Sequence, residues 1–451
     1  MSPKTLSRNS GIEPRGIWTA GEATLADRHG TGMRARLVPF TTSPIRIAAL
    51  IAATLALLTS PLIAPAPLHA QTPTGFEDAW RTVVEEHRAK LKAEGIVGGT
   101  VAFVHDGRIA AADYFGMADL ESGRPVDEHT IYHWASVTKT FTAVAVMQLR
   151  DRGLLTLDDP AIHHVPELRE VHNPFGPMDA ITLRHLLSHS AGFRSPTWPW
   201  GGSEEWHPHE PTEWSQLVAM MPYTRIHFAP GSRYNYSNPG IVFLGRTIEA
   251  VTGDVYEAYM DKNLFRLLDM RRSYFDVTPW HLLEHRSNNY RVVDGRPVAN
   301  GLDFNTGITV SNGGLNAPVD DLAKWVAFLL DRAAARRASH EQVLSRSSLE
   351  EMWREVVPIG DSPLGPEAMG LSFFLYDHEG RKLVGHTGSQ KSFRSFILLD
   401  PETGVGAIGV VNTAGGDETA PASERILTEL RVRIAQELFP LFRHEIRADE
   451  P

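Results

Sequence analysis

One Ser-x-x-Lys occurs in the 451-residue sequence, Ser136-Val-Thr-Lys139, at the head of a run from Phe141 to Leu149 that is apolar except for Thr142 and Gln148. A helix built from that run is greasy nearly all round and belongs inside the protein. Residues three apart share a helix face, so a helix starting near Ser136 brings the Lys139 amine alongside the Ser136 hydroxyl. Desolvation disfavours the charged amine and prepares it to accept the hydroxyl proton, one established way of activating a serine nucleophile. The unpaired N–H groups of a helix start add donors for a developing oxyanion. The bland alternative is a lysine that snorkels to the surface, so the reading depends on partners downstream.

Two segments supply such partners. "GSRYNYSNPG" (231–240) holds the only Tyr-x-Asn, Tyr236-Ser-Asn238, in a loop bounded by Pro and Gly where side chains face a cleft. "VGHTGSQ" (384–390) places His386-Thr387-Gly388 at the end of a predicted strand. Turns favour these residue types anyway, so the order of the three motifs matters more than any one of them.

That order, Ser-x-x-Lys, then Tyr-x-Asn, then a Thr-Gly strand, resembles the serine β-lactamases and penicillin-binding proteins. More closely, the chain resembles the class C β-lactamase-like serine hydrolases, which include class C β-lactamases, D-Ala-D-Ala carboxypeptidases, D-aminopeptidases and family VIII esterases. The likeness runs from about residue 76 to 440 and takes in "RGLLTLDDP" (152–160), "ITLRHLLSHSAGF" (181–193), "PGIVFLGRTIEAVTG" (239–253) and "NGGLNAPVDDLAKW" (312–325), which read as scaffold. The resemblance implies that Ser136 is the acylated nucleophile and Lys139 its activating neighbour. It implies that Tyr236 shuttles protons to the leaving group and activates the deacylating water. Asn238 would bind the substrate's acyl amide, and His386, Thr387 and Gly388 the strand edge along which substrate lies. The N–H groups of Ser136 and Ser389 would form the oxyanion hole. No cofactor and no metal are implied.

The sequence departs from the family pattern at one of these positions. Class C β-lactamases typically carry Lys-Thr-Gly on that strand, where the lysine helps to hold a carboxylate; here the residue is His386. With an ordinary pKa near ~6.5, a histidine is mostly neutral at pH 7 and more often charged at pH 6. Lys391 and Arg394 are candidates to replace the missing cation.

The elements that must hold these groups follow from patterning. Helical spacing covers 75–95, and 98–119 reads as two strands around the Asp106-Gly107 turn. The Ser136 helix ends where Arg150 and Arg152 precede Gly153. Residues 160–345 read as mostly helical, with long Pro-, Trp- and Gly-rich loops. Strands return at 371–376, 382–386, 395–400 and 405–411, before a final helix over about 422–437. The expected fold class is therefore α/β (α+β), of the β-lactamase/transpeptidase-like type: an antiparallel sheet flanked by helices, assembled from both chain ends, plus an all-helical region inserted between them.

Composition, at 42% apolar and 22% charged, is that of an ordinary globular chain with a sizeable core. The first 70 residues carry seven Lys or Arg against three Asp or Glu, so the formal charge of −10 becomes −14 without them. An acidic remainder argues against nucleic-acid partners. Arg34, Arg36 and Arg46 precede "IAALIAATLALL" (47–58) and a Pro- and Ala-rich stretch ending "LHA" before Gln71. This reads as an N-terminal extension followed by an export signal within residues 1–70, ahead of a hydrolase domain at 71–445, and gives an exported protein, periplasmic or secreted. The apolar run is shorter than the roughly 20 residues a membrane-spanning helix needs. With no cysteine, disulfides and thiol chemistry are excluded.

"RSPTWPWGGSEEWHPHEPTEW" (194–214) concentrates four of the ten tryptophans and reads as a lid over an acyl pocket. His207 and His209 lack a third ligand, so no metal is expected there. The expected substrate is a small molecule or peptide cleaved at an amide or ester: a D-Ala-type peptide, a short ester or a β-lactam. A true class C β-lactamase and a non-enzymatic penicillin-binding or ligand-binding protein are the alternatives.

Overall fold

The computed structural model describes residues 72–195, 211–301, 306–330, 337–417 and 420–444. The expected export signal and most of the Trp-rich stretch lie outside the described residues.

The helix expected near the start is α1, Phe76–Ala93, which buries Phe76, Trp80, Val83, Val84 and Leu91 along one stripe. Strands β1 (Gly98–His105) and β2 (Arg108–Asp119) follow as a hairpin. Its turn residues Asp106 and Gly107 both have positive φ, 47° and 72°, the backbone that a two-residue turn between twisted strands requires. Next come β3 (Arg124–Pro125), β4 (Ile131–His133) and the buried helix α2 (Thr138–Asp151). Helix α2 closes at Gly153, whose φ is 71°.

The middle of the chain contributes α3 (Asn238–Thr252) and α4 (Val319–Leu330). The expected all-helical character of 160–345 is corrected by four short strands: β5 (Tyr274–Phe275), β6 (Tyr290–Val293), β7 (Arg296–Ala299) and β8 (Leu315–Pro318). Strand β8 pairs with both β4 and β5, which ties this region to the segment just before Ser136.

The C-terminal part holds β9 (Val357–Ser362), β10 (Gly365–Met369), β11 (Phe374–His378), β12 (Arg381–Gln390), β13 (Phe393–Asp400) and β14 (Val405–Val411). Helix α5 (Ala422–Arg433) ends the α-helical run, and the expected helix to 437 continues instead as a π turn over Ile434–Leu438.

Nine strands form one antiparallel sheet in the order β3-β2-β1-β14-β13-β12-β11-β10-β9. The sheet is built from both chain ends. One face packs against α1 and α5 through Phe76, Phe103, Phe396 and Phe439. The other meets α4 and α2, where the Phe141 and Trp325 rings stack with centroids 3.7 Å apart. Truncating a buried aromatic of this kind costs about 3–5 kcal/mol.

The register sets up the site. Strand β11 pairs with β12 only as far as Phe374↔Gly385, whereas β13 pairs on through Gln390↔Phe393. Residues 386–390 therefore have a neighbouring strand on one side only, an unpaired edge in the interior of the sheet.

Candidate active site

Ser136 sits in a single 3-10 turn, Ala135–Val137, between β4 and α2. Ala135, just before it, has a φ of 49°, a left-handed conformation that costs a non-glycine residue about 1–2 kcal/mol. Among the bonds that hold the turn, Trp134 donates its backbone N–H to the Leu315 carbonyl (2.8 Å) and its indole N–H to Ala317 (2.8 Å), and the Thr138 hydroxyl donates to Ala135 (2.6 Å). Ser136 is partly exposed, while its neighbours from Thr130 to Leu149 are buried.

One turn on, Lys139 is fully buried at 0% exposure. Its Nζ donates to Ser136 Oγ at 3.0 Å and to the Asn312 carbonyl at 2.7 Å. It also stands 5.0 Å from the centroid of the Tyr236 ring, within cation–π range. The i, i+3 geometry expected from the sequence thus holds, and it has a second anchor that the sequence did not disclose.

Tyr236 reaches the same hydroxyl. Its phenol hydrogen-bonds with Ser136; burial pushes the phenol's pKa up, and the Ser136 bond opposes that rise, so the phenol rests protonated at neutral pH. The loop carrying it runs straight into α3: the Ser237 hydroxyl accepts from the Gly240 N–H (3.2 Å) as the helix cap, and Pro239 stands in the first turn. Asn238 is the first residue of α3, and its buried Oδ1 has no hydrogen-bond partner among the described residues. A native protein rarely leaves such an acceptor unused, so it suits a substrate N–H.

On β12, His386 and Gly388 lie toward the helical region, and Thr387 and Ser389 toward α5, as strand alternation requires. Thr387 is partly buried and Ser389 exposed, both on the open edge. These four residues lie within the strand and not at its end, since β12 runs on to Gln390.

The titration expected of His386 is corrected. The residue is 1% exposed, and burial, then the nearby Lys139 charge, hold its pKa down to about 3, with only the Thr387 carbonyl opposing. Its Nδ1 lies 2.6 Å from that carbonyl, an acceptor, so Nδ1 carries the proton and Nε2 is a bare lone pair. Nε2 is buried without a partner among the described residues. His386 thus presents an uncharged acceptor where the family pattern has a cation.

Neither substitute cation is at liberty. Arg394 is 8% exposed, donates to the Lys391 and Phe393 carbonyls (both 2.9 Å) and pairs with Glu424 at 3.3 Å. Lys391 donates to the Asn300 carbonyl at 3.4 Å. A cleft of about 310 Å³ on the α5 side of the strand is lined by Thr387, Ser389, Thr428 and Arg431 among others.

Three residues of the site were passed over in the sequence. Asn312 lies in "NGGLNAPVDDLAKW" and His189 in "ITLRHLLSHSAGF", both read as scaffold. Phe374 packs against both Tyr236 and His386, with ring centroids 6.5 and 5.0 Å away, while those two rings stand 6.3 Å from each other. The available signal was that those segments looked family-like while holding polar residues in apolar company.

A family model described as beta-lactamase matches residues 80–430. Protein flp of Staphylococcus aureus (strain MW2) is 26% identical over 331 residues, covering 73% of this chain and 62% of that protein. The chain thus spans somewhat less than two thirds of that relative's length. A beta-lactamase of Yersinia enterocolitica is 30% identical over 208 residues, covering 46% of this chain and 49% of that one. Among solved structures, the octameric penicillin-binding protein homologue from Pyrococcus abyssi superposes with a TM-score of 0.66 at 31% identity, covering 82% of this chain and 80% of its own. A class C beta-lactamase superposes at 0.65 and 19% identity, covering 82% of this chain and 98% of its own, a likeness of fold.

Proposed function

Because the chain belongs to the beta-lactamase family, we propose that it is a serine hydrolase that cleaves ester or amide bonds through an acyl-enzyme on Ser136. The observation that carries this is the convergence of Lys139 Nζ, at 3.0 Å, and the Tyr236 phenol on one partly exposed hydroxyl.

In the acylation step Ser136 Oγ bonds to the substrate carbonyl carbon. Its proton passes through the Lys139 and Tyr236 pair to the leaving oxygen or nitrogen, whose bond to carbon then breaks. Since the Tyr236 phenol rests protonated, it serves as a relay and not as a standing phenolate. Water next attacks the acyl-enzyme carbonyl and loses its proton to the same pair. The ester bond breaks, Ser136 Oγ is reprotonated and the acid departs. The N–H groups of Ser136 and Ser389 hold the oxyanion, Asn238 takes the acyl amide, and Thr387 and Gly388 line the edge along which substrate lies.

The uncharged His386 supports substrates whose leaving side needs no cation, short esters and amides, over β-lactams anchored by a carboxylate. The complete Ser, Lys and Tyr set argues against a binding protein without turnover. The basic, apolar and Pro/Ala-rich succession from 34 to 70 supports export, so the site works outside the cytoplasm.

The test is a panel of nitrocefin, p-nitrophenyl butyrate and a D-Ala-D-Ala peptide on wild type and Ser136→Ala. Wild type turns over ester or peptide and handles nitrocefin slowly, with an acyl adduct in its intact mass. The alanine variant shows neither turnover nor adduct. An adduct on the alanine variant, or turnover undiminished, removes Ser136 as the nucleophile.

A further inference from the structure

We infer that His189 is the positioning residue of Tyr236, the group that fixes where the proton relay points. The inference rests on the relay role proposed above for Tyr236. His189 leaves the short helix Leu183–Leu187 in a left-handed conformation, φ 54°, uncommon for a histidine. Its carbonyl accepts the Asn235 N–H at 2.8 Å, and its ring Nδ1 accepts the Ser237 N–H at 3.1 Å. Asn235 and Ser237 are the two neighbours of Tyr236 in the chain. The backbone N–H groups of both residues flanking the relay residue therefore hang on His189, one on its side chain and one on its own carbonyl. The His189 ring also lies against the Tyr236 ring, with centroids 4.5 Å apart and planes inclined by 31°.

This arrangement works only with an uncharged imidazole. Because Nδ1 accepts, the ring proton is on Nε2, which is buried without a partner among the described residues. Burial, then the Lys139 charge, then His386 hold the His189 pKa well below the ordinary histidine value, which keeps the Nδ1 lone pair available. A second polar contact to Tyr236 in place of this ring would compete with Ser136 for the phenol; a neutral ring face does not. The loop has no regular strand or helix to stiffen Tyr236 itself, since α3 begins only at Asn238. His189 takes that part.

The test uses three full-length variants with an ester substrate. His189→Ala removes the acceptor and the ring. His189→Asn keeps an acceptor, Oδ1, near the place of Nδ1, and tolerates positive φ. His189→Phe keeps a ring with no acceptor. The expected result for alanine is a kcat reduced about 10- to 100-fold with KM nearly unchanged, the loss that a roughly 1 Å misplacement of a reacting group produces. Phenylalanine falls alike, and asparagine recovers most of kcat. Wild-type kcat in the alanine variant, a KM rise with kcat intact, or an asparagine variant as slow as alanine each overturns the inference. Should the alanine variant fail to fold, the asparagine and phenylalanine pair decides it. Tyr236→Phe is the control: if it keeps full kcat, the relay reading itself is wrong, whereas a dead Tyr236→Phe beside an untouched His189→Ala removes only the role of His189.

Discussion

Gly388 and Trp134 meet backbone to backbone: a Cβ added to Gly388 would fall well under 3.0 Å from the Trp134 carbonyl oxygen and from Ser395 Oγ. The Ser395 hydroxyl donates to that same carbonyl at 3.0 Å, so the substrate strand, its neighbour and the turn bearing Ser136 are locked at one point. Only glycine fits there.

Gly388→Ala must push β12 away from the Ser136 turn and so misplace the Ser389 N–H. The expected loss in kcat is about 100- to 1,000-fold, that of one missing oxyanion donor. Circular dichroism should show the fold retained. A variant with more than half the wild-type kcat would show that the contact does not set the oxyanion hole.

His386→Lys restores a cation to the open edge. If the family's cation serves to hold a carboxylate, the ratio of kcat/KM for a penicillin to that for p-nitrophenyl butyrate rises several-fold, from a charge-assisted contact of about 1.5–3 kcal/mol discounted for imperfect geometry. In wild type the ratio stays flat between pH 6 and 8, since His386 protonates only near 3. A wild-type ratio that climbs toward pH 6 would mean that His386 titrates normally.

Acid should weaken the fold early. Burial lowers His133 and His386 to about 3 and His87 to about 4. Below pH 6.5 the unfolded chain takes up protons at these residues that the folded chain does not, so stability is full above 6.5 and declines as pH falls toward 3. Each group costs on the order of 2 kcal/mol by pH 5. Melting temperature should fall by several degrees between pH 7 and 5. A flat profile would contradict neutral burial of these rings.

N-terminal sequencing of the protein recovered from the producing cell should start near Gln71. Finding residues 47–58 still attached would show an anchor in place of a cleaved signal.

The parts of the site that lie close in sequence were legible. Ser136 and Lys139 are three apart, on a 3-10 turn and the helix that continues it, and the Asp106-Gly107 turn speaks for itself in two letters. What stayed hidden depends on contacts across the chain. Lys139 finds the Asn312 carbonyl 173 residues away through a backbone atom, which no residue type encodes. His189 reaches Ser237 by a ring nitrogen 48 residues off. Strands β9 and β10 were missed because Pro358, Gly360, Gly365 and Pro366 read as loop; β9 is the edge strand, and Gly365 and Pro366 of β10 pair with β9 alone, so such residues are tolerated there. The His386 pKa followed from burial, which composition does not reveal.

In the sheet, β1 lies hydrogen-bonded between β2 and β14, so Gly99 faces Val411 across more than 300 residues of chain. Ser136 emerges in synthesis about 250 residues before the strand edge that would complete its site, 386–390, and before the strand that joins the two parts of the sheet. Contacts of such long sequence separation make for slow folding, because the loop between them must close before any pairing rewards it. Until then β1 has an unpaired edge open to other chains. A truncation before β14 should therefore yield aggregate and not a weak enzyme, and hydrolysis should appear only together with the completed sheet.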